Sequence, residues 1–347
     1  MKLSWSRYRL ALAQTFTIAH GSSDYRETLF VRFEHDGEIG FGHAAPNPRY
    51  GETPDTAEQA LDAMSKRLVG DPMCFRPFIH HAISDTPGNY AAKAALDMAV
   101  LDWVGKRMGA PLYRILGLDP SAMQPTSMTI GIDTPEVVKA RAAELLEYKA
   151  LKIKLGSEND RGMIEAIREV SDQPIRVDAN EGWTHREHAL REIEWLADHH
   201  IDLVEQPMPA AQQEDMVWLK ERSPLPLIAD EAFTSPNEIP TLKDQYHGIN
   251  IKLMKVGGLL AALDAATVAR TFGMSMMLGC MVESALGVAA AAQMAPLVDY
   301  VDLDGNILIK NDTFEAHPVV DGCLALIDRP GLGISPLANY GNEMLSF

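Results

Sequence analysis

Cysteine is scarce in this 347-residue chain: Cys74, Cys280 and Cys323 stand far apart with no CxxC spacing. An odd, scattered set argues against a disulfide framework and a thiolate zinc site, leaving reduced thiols as the reading. Apolar runs of 18 or more residues are also missing, so no segment reads as a membrane span. The start, MKLSWSRYRL, lacks the apolar core and small-residue cleavage site of a signal peptide. Basic charge is in deficit, with 31 Lys and Arg against 48 Asp and Glu, a net charge of −17, and no basic block. That balance argues against nucleic acid or an anionic membrane as partner and suits a cytoplasmic enzyme. No GxSxG or HExxH occurs, and no GxGxxG or GxxxxGK[ST] follows a strand, so hydrolase and nucleotide-binding readings have no support.

What is present suggests two domains, in keeping with the length. In the first, strands at 28–33 and 38–43 flank Asp36-Gly37, a hairpin turn whose residues tolerate positive φ. A helix over 91–108 follows, carrying Ala95, Met98, Ala99, Leu101 and Val104 at helical spacing and stopped by Gly109-Ala110-Pro111. From about residue 126 the pattern becomes apolar strand followed by helix, repeated. Strands are expected at 126–132, 151–155, 175–180, 203–206, 227–231, 249–254, 276–281 and 300–304. Lys152, Asp178, Glu205, Asp230 and Lys252 mark five of them at spacings of 26, 27, 25 and 22 residues, each the length of one strand, one helix and two loops. Eight such units are the number that closes a barrel with its active site at the strands' C-terminal ends, a doubly wound open sheet being the alternative.

In Leu151-Lys152-Ile153-Lys154-Leu155 both lysines face one side and three aliphatics the other. A barrel points those lysines inward; an edge strand guarding against aggregation would show the same alternation. Asp178, Glu205 and Asp230 each close an aliphatic run at the same relative position in successive strands. One such carboxylate is usually a helix cap, but three side by side are costly unless a cation sits between them, and an all-oxygen set favours Mg2+ over Zn2+. In an eight-stranded barrel strands two and six are opposite, so Lys154 and Lys252 face each other across the mouth. Asp302 and Asp304, on strand eight, face the carboxylate arc. A ligand would then meet the metal with its anionic end and the paired aspartates with its cationic end. Abstracting a proton α to a carboxylate needs both a base and a cation to absorb the new charge. A lysine acts as a base only when its pKa is depressed, and Lys152 and the metal are placed to depress that of Lys154.

At these residues the sequence resembles the enolase superfamily, in its muconate-lactonizing-enzyme subgroup, over nearly the whole chain. Lys152-x-Lys154, Asp178-x-Asn180, Glu205-Gln206-Pro207, Asp230-Glu231 and Lys252 carry the resemblance, together with Ala94-Ala95-Leu96-Asp97-Met98-Ala99 and the stretch Pro111-Leu112-Tyr113-Arg114-Ile115-Leu116-Gly117. It implies an α/β fold, a modified (β/α)8, or (β/α)7β, TIM-type barrel. An α+β capping domain at residues 1–118, the barrel at 119–325 and a C-terminal segment at 326–347 returning to the cap complete the expected organisation. It further implies Asp178, Glu205 and Asp230 as Mg2+ ligands and Lys154 and Lys252 as the acid/base pair, lysine bases beside Mg2+ being the known pattern of this superfamily. Asn180 and Glu231 are expected just behind the ligands.

Within the subgroup, Asp302-Leu303-Asp304-Gly305 is similar to the dipeptide epimerases, where such aspartates hold the substrate ammonium. The implied activity is epimerisation of a dipeptide at the α-carbon beside its C-terminal carboxylate, by two-base proton transfer through an enolate. An N-acylamino-acid racemase, o-succinylbenzoate synthase or cycloisomerase is the alternative, and a non-catalytic barrel a remote one. Lys152 and Met281 are expected to line the substrate pocket. The cap loops that close over it fall near 17–26 and 46–53, where His20 takes the place at which Ala-Glu epimerases set a basic residue. A neutral His20 favours a small or apolar second residue, with Arg26 or Arg49 able to supply a charge instead. The implied partner is a small-molecule dipeptide, in a chain compatible with homo-oligomer formation. His80-His81, His185, His188 and His199-His200 fall away from the strand ends and read as solvated.

Overall fold

Asp36 and Gly37 both take left-handed backbone, φ 49° and 77°, and reverse the chain between β2 (Gly21–His35) and β3 (Glu38–Ala44). The computed structural model describes residues 1–19, 21–338 and 340. Ahead of this hairpin runs β1 (Lys2–Ile18), a strand that hydrophobic alternation does not reveal. Only Leu3, Leu10 and Leu12 are buried along it, and its pairing with β2 shifts register between Ala11 and Phe16. The segment 17–26 is therefore the tip of the β1–β2 hairpin rather than a free loop. The three strands form an antiparallel meander.

Helices α1 (Pro54–Ser65), α2 (Phe75–Ile83) and α3 (Tyr90–Met108) cover one face of that sheet. The alanines of α3 let it lie almost on the backbone of β3. A Cβ at Gly40 or Gly42 would come within 2.0 Å of Ala99 O or 1.9 Å of Ala95 O, so both positions accept only glycine.

Eight parallel strands then alternate with helices: β4 (Ser127–Ile130), β5 (Ala150–Lys154), β6 (Ile175–Asp178), β7 (Ile201–Glu205), β8 (Leu227–Ala229), β9 (Gly248–Ile251), β10 (Ser275–Gly279) and β11 (Tyr300–Asp302). Each pairs with its successor, and a parallel bridge between Thr126 and Val301 joins the first to the last. The seam is strengthened by side chains, with Thr126 Oγ1 accepting the Leu303 N–H and Ser127 Oγ donating to Asp302 Oδ1. All eight expected strands are present. β6 and β7 end short of the expected limits at 180 and 206, where Asn180 and Gln206 turn left-handed (φ 43° and 37°) and lift the chain off the sheet. Leu151, Ile153 and Leu155 pack toward the helices. Leu203, Ile228 and Met277 form a separate buried cluster, which their place in line with Glu205 and Asp230 puts inside the barrel. No helix among the described residues is long and apolar enough to cross a membrane.

Two buried aspartates on α3 dock the cap. Asp97 accepts the Leu259 and Leu260 N–H groups at 2.6 and 3.4 Å, capping the barrel helix Leu259–Thr271 from another domain. Asp102 accepts the N–H of Phe41 on β3 and of Leu332 in the C-terminal return, both at 2.9 Å. Replacing Asp97 with Ala leaves buried donors unmet, and is expected to lower unfolding free energy by about 1–3 kcal/mol, with Asn costing less. A urea midpoint unchanged in Asp97→Ala would remove the docking role.

Candidate active site

Pairing in register brings the charged residues together. Lys154 on β5 is paired with Asp178 on β6, and Asp178 with Glu205 on β7, so three strands present one layer of charge. Asp230 follows β8 directly and Lys252 follows β9 directly. Asp178, Glu205 and Asp230 are at most 2% exposed, and each offers a carboxylate oxygen within 4.8 Å of the others.

Buried carboxylates this close must be compensated. Lysines do it. Lys152 Nζ lies 3.2 Å from Asp178, 2.7 Å from Glu205 and 2.8 Å from Asp302. Lys154 pairs with Asp178 at 2.6 Å on one side of the cluster, and Lys252 with Asp230 at 2.7 Å on the other. Although burial opposes it, the charges of Asp302, Glu205 and Asp178 hold the Lys152 ammonium well above the usual lysine range. For Glu205, burial and then the Asp178 charge push the carboxyl up to about 7.

Residues that strand alternation did not pick out complete the cluster. Lys255 is 1% exposed and donates to Asp230 Oδ1 at 2.5 Å and to its carbonyl at 2.6 Å. It stands three residues past Lys252, one helical turn along the short helix Leu253–Val256. Asn250 Nδ2 donates to Glu205 Oε1 at 2.8 Å, and Gln206 Oε1 accepts the Asp230 and Ala232 N–H groups, tying β7 to the end of β8. Asn180 accepts strain at φ 43° to place its N–H on Asp178 Oδ1 and its Nδ2 on Glu231 Oε1, at 2.9 and 3.1 Å.

A divalent cation fits the donor set. The three ligand candidates are hard oxygens; buried Asn180 Oδ1 and Glu231 Oε2 have no hydrogen-bond partner among the described residues, and Glu205 Oε2 is met by Lys152 Nζ at 2.7 Å.

The other expected residues are placed as follows. Asp302 and Asp304 are each 4% exposed at the closing seam, Asp302 holding Lys152 and Ser127, and Asp304 accepting the Thr129 N–H at 2.7 Å. Met281 is half-buried on the loop after β10, its sulfur 3.7 Å from Asn47 Nδ2. His20 lies outside the described residues. Arg49 is engaged, making a two-pronged pair with Glu181 at 2.7 to 3.2 Å, and Arg26 donates to the Tyr25 carbonyl. His80 and His81 sit on α2, and His199 stacks on Trp195 with ring centroids 3.7 Å apart, all apart from the cluster.

A capped parallel barrel with lysines either side of a carboxylate triad defines an enzyme built to handle a carboxylate-bearing substrate. Residues 136–339 match the family model for the enolase C-terminal domain-like fold, and residues 7–117 that for the mandelate racemase / muconate lactonizing enzyme N-terminal domain. The chain belongs to this family of the enolase superfamily. It is 43% identical over 335 residues, 96% of this chain and 88% of the relative, to the L-Ala-D/L-Glu epimerase of Bacteroides thetaiotaomicron. It is 39% identical over 339 residues, 95% and 97% of the two chains, to the L-Ala-D/L-amino acid epimerase of Pedosphaera parvula. The solved dipeptide epimerase of Enterococcus faecalis complexed with Mg and L-Leu-L-Tyr superposes with a TM-score of 0.89 at 31% identity, over 96% of this chain and 99% of that one.

Removing one partner from a buried charge cluster costs more than the cluster contributes. Lys152→Met, which strands Asp178, Glu205 and Asp302, is expected to lose about 3–5 kcal/mol of stability by denaturant titration. A loss below about 1 kcal/mol, within the range of an exposed ion pair, would show that Lys152 is dispensable to the charge balance.

Proposed function

We propose that this chain is a Mg2+-dependent dipeptide epimerase that inverts the α-carbon beside the C-terminal carboxylate. The observation that carries this reading is the placing of Lys154 and Lys252 on opposite sides of one carboxylate triad. Asp178, Glu205 and Asp230 would hold the ion, with Asn180 and Glu231 supporting them from behind. When bound, Mg2+ supplies positive charge that stabilises the second negative charge developing on the substrate carboxylate and favours a neutral lysine. One neutral lysine takes the α-proton from its face, leaving an enolate. The other, as an ammonium, gives a proton to the opposite face, and the carbon is inverted with no net change in protons. Asp302 and Asp304 receive the free ammonium of the dipeptide, and Lys152 and Met281 border the pocket. A cap of residues 1–118, with the return from 326 onward, closes over the barrel of 119–325, in a cytoplasmic enzyme.

For the second residue of the dipeptide we infer a small or apolar side chain. Arg49 is neutralised by Glu181 and so brings no free charge to an acidic partner. The relatives include both an L-Ala-D/L-Glu epimerase and an L-Ala-D/L-amino acid epimerase, so the inference rests on this chain's own residues.

In D2O, Lys154→Arg is expected to cut α-proton exchange from one epimer by about 10²-fold or more while sparing the other, and Lys252→Arg the reverse. Exhaustive chelation should abolish both and Mg2+ restore them. Equal loss from both epimers in each variant, with the fold intact, would count against two bases. Acetylating the dipeptide's amino group is expected to remove most activity, because the aspartates then face no cation. An acetylated substrate that outperforms the free dipeptide would favour the racemase alternative. A dipeptide library read by deuterium uptake should show higher kcat/KM for Ala-Ala than for Ala-Glu; the opposite order would overturn the side-chain inference alone.

A further inference from the structure

Each carboxylate of the triad has one oxygen held from behind and the other turned to Lys152, Lys154 or Lys252. Asp178 Oδ1 accepts the Asn180 N–H at 2.9 Å, while Oδ2 faces Lys154 at 2.6 Å and Lys152 at 3.2 Å. Glu205 Oε1 accepts from Asn250 Nδ2 at 2.8 Å, while Oε2 faces Lys152 at 2.7 Å. Asp230 Oδ1 accepts from Lys255 Nζ at 2.5 Å, while Oδ2 faces Lys252 at 2.7 Å. Two of the three groups behind are neutral amides. The third, Lys255, brings a full charge.

Lys255 is built into its place. The side chain is sealed from water, donates also to the Asp230 carbonyl at 2.6 Å, and has its ammonium 5.6 Å from the centre of the Phe233 ring. The turn of helix that carries it is closed by Gly257 in left-handed backbone, φ 95°, whose N–H returns to the Leu253 carbonyl at 2.9 Å. Lys154 and Lys252 border the mouth and can move off their oxygens when a ligand arrives. Lys255, between Asp230 and an aromatic ring, stays. A divalent cation on the triad would therefore share Asp230 with a second, permanent cation, and like charges this close oppose one another. Without the ion, the same lysine removes the cost of burying Asp230.

We propose that Lys255 is a resident counter-ion that sets how tightly the triad holds its divalent cation, neutralising Asp230 in the ion-free chain and opposing the ion once it enters. The proposal rests on the Mg2+ reading above. Lys255 touches neither ion nor substrate; it acts through Asp230 and is a positioning residue. One charge thus has two linked effects. It lets the barrel close before metal arrives, and it keeps the metal's hold weaker than three buried carboxylates would otherwise give.

The test titrates Mg2+ calorimetrically into the full chain after chelation and dialysis, with no substrate present, and reads urea midpoints with and without Mg2+. Lys255→Met is expected to lower the Kd for Mg2+ about 10-fold or more, the size of effect one unit charge has a few ångströms from an ion in a protein site. The same variant should have a lower ion-free urea midpoint, which saturating Mg2+ returns toward that of the parent. Lys255→Arg keeps the charge and should bind Mg2+ within about 3-fold of the parent. Asn250→Ala removes a neutral group from behind Glu205 and should not tighten Mg2+ binding. Loss of a merely structural lysine would loosen the ion site rather than tighten it. If Lys255→Met does not fold without Mg2+, Lys255→Gln, which keeps a donor to Asp230 but no charge, is read in the same way. Unchanged or weaker Mg2+ binding in the folded uncharged variants, or equal tightening in Lys255→Arg, would overturn the role of Lys255 and leave the Mg2+ reading in place. A parent chain that binds no Mg2+ would overturn both.

Discussion

Mutual repulsion among Asp178, Glu205 and Asp230 is the constraint that the barrel mouth answers. Three carboxylates almost sealed from water cannot sit this close without cations, and the chain supplies four, Lys152, Lys154, Lys252 and Lys255. With Asp302 counted, four buried acids meet four buried lysines. This charge balance is also a chemical arrangement. A cation entering the triad takes over part of the lysines' electrostatic role, and a lysine freed from a carboxylate is one step nearer to being a base. The same interaction thus stabilises the fold and prepares the site.

The acids at the closing seam hold the barrel shut. Asp302 and Asp304 bind groups of the first barrel strand and its neighbour, Ser127, Thr129 and Lys152, where backbone pairing is reduced to a single bridge. Carboxylates built into the seam are held rigidly, because moving them would open the barrel. Rigidity of this sort limits the reorganisation needed when charge develops during reaction.

Cap and barrel are joined by buried polar bonds on α3 and by lighter contacts at the mouth. Asp97 and Asp102 hold the body of the cap to a barrel helix and to the C-terminal return. Nearer the substrate the contacts are single hydrogen bonds, sulfur contacts and the rim pair of Arg49 with Glu181.

Much of this was written in the sequence. The eight strands follow from aliphatic runs at a repeating interval, and strict alternation put Lys152 and Lys154 on one face of their strand. The triad was legible because a carboxylate closes each of three successive runs. The family resemblance supplied roles that spacing alone does not. What the sequence hid has physical causes. β1 buries only a few aliphatics and slips register, so periodicity could not reveal it. The partners of Lys255, Asn250 and Gln206 were not legible, because their bonds join segments far apart in sequence, and Asp97 caps a helix 162 residues away. Arg49 looked like a free charge until Glu181 was found beneath it. Local pattern determines which face a residue takes on its own strand, because that is set by neighbours one or two positions away. Which charges meet is set by the closure of the barrel and the seating of the cap, and only the tertiary structure decides that.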